Sequence, residues 1–241
     1  MNPATNIASD VQSPEEVFRH PSFVRVTHWF TAAAMLVLIP SGLLILWAHP
    51  ELYWGETGYF GDPAWLRFPI EPNFLGSLLG RPFHFFAAWV LVLSYLVYLV
   101  WGFLSGHFWK RMLPTRAQLH WRHIRHEIVE HALFRRATGK AALEFNLFQK
   151  LAYISVIFVL IPLMLLSGLT MSPGFTAAIP ELFWLWGRQT ARSVHFIGAG
   201  ALVLFLIIHV IQLFVVGFKN EVRSMTTGRF VVPQTRKRGK Q

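Results

Sequence analysis

The sequence predicts an all-α membrane protein, a four-transmembrane-helix bundle with both termini in the cytoplasm, and three observations predict it. The 241 residues are 54% hydrophobic and only 14% charged, where soluble domains carry about 25% charged residues, and the mean hydropathy is +0.42. Four runs free of Asp, Glu, Lys and Arg, between Arg25 and Glu51, Arg81 and Lys110, Lys150 and Glu181, and Arg192 and Lys219, each exceed the roughly 18 residues needed to cross a hydrocarbon core. The excess of 22 Lys+Arg over 12 Asp+Glu is distributed unevenly between the segments that join these runs. The chain reads as one domain over 1–241, with a basic cytoplasmic tail over 218–241.

In order, helices are expected over about 24–47, 83–106, 148–171 and 191–217. Within each, Leu, Ile, Val, Phe and Ala are too continuous for a single amphipathic stripe, so the helices face lipid on one side and each other on the opposite side. Pro40 and Pro162 fall inside spans and are expected to bend them. Trp29, Trp47, Trp101, Trp109, Trp184 and Trp186 lie near the ends, as an interfacial aromatic belt would. Asp10, Glu15 and Glu16 precede the first span without a basic n-region, which reads as a retained helix and not a cleaved signal peptide.

The long middle loop carries Lys110, Arg111, Arg116, Arg122, Arg125, Arg135, Arg136 and Lys140, and the tail Lys219, Arg223, Arg229, Arg236, Lys237, Arg238 and Lys240. The 49–81 loop offers Arg67 and Arg81 against Glu51, Glu56, Asp62 and Glu71. The positive-inside rule therefore places both termini and the middle loop in the cytoplasm. The basic charge records orientation in a lipid bilayer, and no nucleic-acid role is expected. The 117–136 stretch reads as an interfacial amphipathic helix. Its His120, His123, His126 and His131 mix two faces without completing a ligand set, so solvated residues are expected there and not a metal site.

The chain contains no Cys, which excludes disulfides, thiolate-held iron–sulfur clusters and covalent CxxCH haem. Any metal must be held by His, Met or oxygen. Four of the 11 histidines, His28, His84, His195 and His209, fall inside the spans, where ionisable residues are costly. His195 and His209 stand fourteen residues apart, which returns to within about 40° of one helix face and separates them by about 21 Å. His84 and His195 match in depth at the outer side. His28 and His209 match more loosely at the inner side, a mismatch that closes if Arg25 dips into the membrane. Two pairs of facing imidazoles suit two non-covalent bis-His b-type haems, with Arg25, Arg81 and Arg192 one turn away to hold carboxylates. Ala32, Gly42, Ala87, Ala88, Gly198 and Gly200 could admit a macrocycle or merely close helix packing. Filled axial positions suit electron transfer and not bond-making. A haem-free transporter or anchor using its buried histidines for protons or metal ions is the other class of reading.

Arg25-Val-Thr-His28-Trp29, His84 early in span two, Asn146-Leu-Phe-Gln149-Lys150 opening span three, and Arg192-Ser-Val-His195 followed by His209 together resemble the prokaryotic cytochrome b-561 family over about residues 18–220. That family includes the cytochrome b subunits of nickel–iron hydrogenases, formate dehydrogenase gamma subunits and thiosulfate-reductase-type cytochromes b. The resemblance implies a multi-pass bacterial inner-membrane subunit. It implies an outer haem on His84 and His195 and an inner haem on His28 and His209. It also implies exchange with quinone, ubiquinone or menaquinone, at Asn146 foremost and Gln149 and Lys150 after it. The expected partner is a periplasmic redox subunit, of molybdopterin-oxidoreductase or hydrogenase type, which would carry the substrate chemistry. The aromatic 49–81 loop, with Tyr53, Trp54, Tyr59, Phe60, Trp65 and Phe68, departs from the hydrogenase and formate-dehydrogenase members. It would serve as a docking face or as a lid on the headgroups.

Overall fold

The computed structural model describes residues 15–55, 63–132 and 139–233. Asp10, Glu56, Tyr59, Phe60, Asp62, Arg135, Arg136 and the tail from 234 lie outside the described residues, as do the side chains of His131 and Lys140.

Four helices are long and apolar enough to cross a membrane: Ser22–Ala48, Phe74–Leu104, Leu147–Met171 and Glu181–Val216. The first two are α1 and α2. The third is built of α4 (Leu147–Ser155), a π-helical turn (Val156–Leu160) and α5 (Ile161–Met171), and the fourth is α7. The short α3 (Trp121–Ala132) and α6 (Pro173–Ala178) connect them, and α8 (Phe218–Thr227) follows α7. Their outer surfaces are apolar, with Leu36 73%, Phe86 70% and Leu104 84% exposed. Water would penalise such exposure at about 25 cal/mol per Å², whereas lipid tails solvate it.

The helices differ from the sequence expectation mainly at their ends. Asn73 caps α2 by accepting the Leu75 N–H at 3.0 Å, which starts it nine residues before 83. The fourth helix starts at Glu181, but Gly187 breaks it with φ 70 and ψ 167. Glycine enters that left-handed region without a Cβ penalty, so the straight part of the span begins close to the expected 191. Pro40 lies within an uninterrupted α1. Pro162 instead follows the π turn: lacking an N–H, it cannot pair with the carbonyl four residues back. The Tyr95 hydroxyl of α2 donates to the loosened Ile157 carbonyl at 2.9 Å.

Packing is strongest within two hairpins, α1 on α2 and α5 on α7, and sparse between them. The α1–α2 contact is close because Gly76 faces the Leu44 carbonyl, and a Cβ at Gly80 would stand 2.8 Å from the Ser41 carbonyl.

A small cap, absent from the sequence expectation, closes one end of the bundle. β1 (Glu16–Phe18) pairs antiparallel with β4 (Arg229–Val231), bringing the segments that flank the first and last helices together. Gly217, at φ 135, turns the chain out of α7 and into α8. The Arg19 guanidinium grips the Glu221 carboxylate with two bonds of 3.0 Å and lies 4.4 Å over the Phe230 ring. Arg111, from the middle loop, donates to the Arg19 carbonyl at 3.1 Å. The middle loop and both terminal segments therefore share one end of the bundle. At the opposite end β2 (Glu51–Leu52) and β3 (Leu66–Arg67) form a hairpin. There Trp54 stacks on Trp65, and the Trp65 indole donates to Ser193 Oγ at 2.9 Å.

Candidate functional site

The four membrane histidines meet as two pairs, one toward each end of the bundle. At the β2–β3 end the rings of His84 on α2 and His195 on α7 stand 6.3 Å apart between centroids. At the capped end His28 on α1 and His209 on α7 also stand 6.3 Å apart. Two metal–imidazole bonds of about 2.0–2.1 Å in line, with the short distance from each nitrogen to its ring centre, place centroids roughly 6.2 Å apart. The ring spacing thus fits one metal per pair held from both faces. Each pair also spans the sparse contact between the two hairpins.

Two buried hydroxyls fix the first pair. Ser41 Oγ lies 3.0 Å from His84 Nδ1, and Ser167 Oγ lies 3.0 Å from His195 Nδ1. Each hydroxyl has one proton, and each gives it to a carbonyl one turn back, Val37 at 2.6 Å and Leu163 at 2.7 Å. With their protons so placed, the serine oxygens accept from imidazoles that carry a proton on Nδ1 and keep an unprotonated Nε2. That is the form that binds a metal through Nε2. Beside each serine is a glycine that faces the ring: a Cβ at Gly42 or Gly168 would stand 3.5 Å from Cε1 of His84 or His195, an ordinary contact distance.

The capped-end pair is held differently. His209 stacks on Phe205 at 5.8 Å and His28 meets Trp29 edge-on. His28 Nδ1 and Arg25 Nε are buried without a hydrogen-bond partner, the kind of vacancy that a polar ligand group fills. Trp29 and Arg25 donate to the Met225 and Thr226 carbonyls at 2.9 and 2.6 Å, using acceptors that the end of α8 leaves free. This docking of α8 explains how the looser depth match closes: the chain turns back at Gly217, so Lys219 does not mark the depth of His209.

The arginines one turn from the other pair converge. Arg81 approaches His49 Nε2 at 3.4 Å and Arg192 donates to the His49 carbonyl. Burial first, and then the Arg192 and Arg81 charges, push the His49 pKa below its ordinary value. Two cations directed at one spot suit an anionic group there.

Asn146, Gln149 and Lys150 lie together at the start of α4. Asn146 Oδ1 accepts the Gln149 N–H at 2.8 Å and Gln149 Oε1 accepts the Asn146 N–H at 3.2 Å, a reciprocal capping box. Lys150 does not snorkel outward: 7% exposed, it donates to Gln118 Oε1 at 2.9 Å and to the Leu113 carbonyl at 3.3 Å. Of the small residues, Gly42 faces His84, Gly200 faces open space, and Gly198 packs against Met164. In α3, His123 Nε2 lies 2.8 Å from Glu127, whose carboxylate accepts the Leu147 N–H at 2.9 Å and ties α3 to the start of α4.

Sequence reasoning missed Ser41, Ser167 and the Arg19–Glu221 pair. A signal for the serines was present: Ser-Gly-Leu recurs at 41–43 and 167–169, and Arg-x-x-His-Phe at 81–85 and 192–196, once per hairpin. The repeat is too short to stand out before the hairpins are seen.

The model of prokaryotic cytochrome b561 matches residues 19–228. Among curated relatives, a putative protein-methionine-sulfoxide reductase subunit, YedZ1, of Azospira oryzae is 32% identical over 193 residues, covering 79% of this chain and 87% of its own. A probable Ni/Fe-hydrogenase B-type cytochrome subunit of Azotobacter vinelandii is 27% identical, covering 83% of this chain and 81% of its own. Its counterpart in Bradyrhizobium diazoefficiens is 24% identical, covering 80% and 76%.

Proposed function

Because the chain belongs to the prokaryotic cytochrome b561 family of membrane electron-transfer proteins, we propose that it is a di-haem subunit of the bacterial inner membrane. It passes electrons between an extracytoplasmic redox subunit and the quinone pool. The observation that carries the proposal is the pair of 6.3 Å imidazole spacings at two levels of the bundle. When bound, b-type haem supplies reversible one-electron chemistry. His84 and His195 would hold the outer group, and Arg81 and Arg192 would meet its carboxylates. His28 and His209 would hold the inner one, with Arg25 serving the same role. α7 carries one histidine of each pair, His195 and His209, about 21 Å apart along its axis. Held by two histidines each, the groups would carry electrons only, and substrate chemistry would belong to a partner subunit. Relatives described as a reductase subunit and as hydrogenase cytochrome subunits support that division.

In this reading the capped end faces the cytoplasm, because the middle loop and the tail hold the basic excess, and the β2–β3 end faces the partner. Quinone exchanges at the start of α4. A headgroup carbonyl there takes a hydrogen bond from Lys150 in exchange for Gln118, or from Asn146, and the capping box keeps the helix start in place while it does so. The test is reduction of the purified chain in proteoliposomes by ubiquinol or menaquinol. One of them is expected to reduce the haems, and Lys150→Met to slow the reaction about tenfold or more. Reduction by dithionite but by neither quinol would contradict the quinone assignment.

A further inference from the structure

The outer histidines are held alike from opposite sides of the bundle. Ser41, 4% exposed, and Ser167, 0% exposed, sit on the first helix of each hairpin and meet the histidine of the second at the same 3.0 Å. Each hydroxyl is already committed to its own helix carbonyl, so it is oriented before any ligand arrives. Among the described residues neither His28 nor His209 makes a side-chain hydrogen bond of this kind, and His28 Nδ1 has no partner at all. The two levels therefore differ in one chemical respect that the shared 6.3 Å spacing conceals.

We propose that Ser41 and Ser167 are positioning residues that hold the two outer imidazoles as Nδ1–H donors and lower the reduction potential of the outer centre relative to that of unassisted imidazoles. The inference rests on the di-haem reading above. An acceptor at Nδ1–H makes the opposite nitrogen a more basic ligand. A more basic ligand favours the ferric over the ferrous state, because it delivers more electron density to the higher charge. Two such hydroxyls act on the outer centre and, among the described residues, none on the inner, so the hydroxyls separate the two potentials.

The test is an anaerobic redox titration of the detergent-purified full chain, followed at the haem α band. The outer component is identified as the one missing from His84→Ala. Ser41→Ala and Ser167→Ala are each expected to shift the outer equilibrium about threefold toward the reduced form, or about 28 mV at 59 mV per tenfold for one electron. The double variant is expected to shift it further, with the inner component unmoved. Ser41→Thr and Ser167→Thr, which keep the hydroxyl, are expected to titrate as the unaltered protein does. Unmoved potentials in the double alanine variant, or threonine variants that behave as the alanine ones, would overturn the inference while leaving the di-haem reading intact. If an alanine variant sheds the outer haem, retention by the threonine variant supports the inference and loss overturns it. An unaltered chain that is folded but free of haem would overturn the underlying reading itself.

Discussion

At the scale of single residues, a membrane histidine has meaning only through what faces it. Taken alone, each of His28, His84, His195 and His209 would pass for a core imidazole bonded to a neighbouring helix, and for His84 and His195 such a bond exists. In the di-haem reading, the partner ring 6.3 Å away turns that bond into support for a ligand. The pairs share no side chain, and the α7 backbone separates their levels, so their losses should be independent. His195→Ala is expected to remove the outer haem and keep the inner, and His209→Ala the reverse. Haem content of the purified variants, about half of normal in each, checks it, and full content in both would contradict the ligand assignment. The order of the four histidines, the fourteen-residue step and the flanking arginines were legible in the sequence. The serines that hold two of the rings were not, because a buried Ser that bonds its own helix carbonyl is ordinary in a membrane helix.

At the scale of elements, spans are easy to see and caps are not. Four uncharged runs announce four helices, since lipid demands length and apolarity together. The cap depends on contacts remote in sequence, such as Arg19 with Glu221 and Glu16 with Val231, which no local pattern reveals. Gly187 and Gly217 redirect helices whose composition would let them continue. The cap also buries a titratable group. His20 is 9% exposed, and burial, with the Arg19 and Arg111 charges adding to it, lowers its pKa to about 4. His107 is lowered too, by burial and then by Arg111. The folded cap thus prefers neutral His20, while the unfolded segment takes up a proton near pH 6.5. The stability from His20 is complete above that value and falls as pH drops toward 4, by about 3 kcal/mol at most. The protection factors of the β1 and β4 amides, with the intrinsic pH dependence of exchange divided out, should therefore fall between pH 6.5 and 4, and His20→Gln should flatten that dependence. An unchanged pH profile in the variant would show that His20 is not the group responsible.

At the scale of the whole molecule, two hairpins that pack within themselves and only sparsely on one another meet through the histidine pairs, the Tyr95–Ile157 bond and the Phe103–Phe158 contact. A bundle designed only to anchor a partner would close that seam with interdigitated side chains, as membrane helices do when packing alone holds them. Here the seam is lined by imidazole pairs at two depths, with arginines directed at its ends. The family match over 19–228 and the relatives described as cytochrome or reductase subunits agree with a conductor of electrons whose bond-making takes place elsewhere. The most direct measurement is a dithionite-reduced minus oxidised spectrum of the purified chain, with a pyridine haemochrome assay set against protein mass. The account predicts two b haems per polypeptide. Well-folded protein from haem-replete cells carrying one haem, or none, would contradict it.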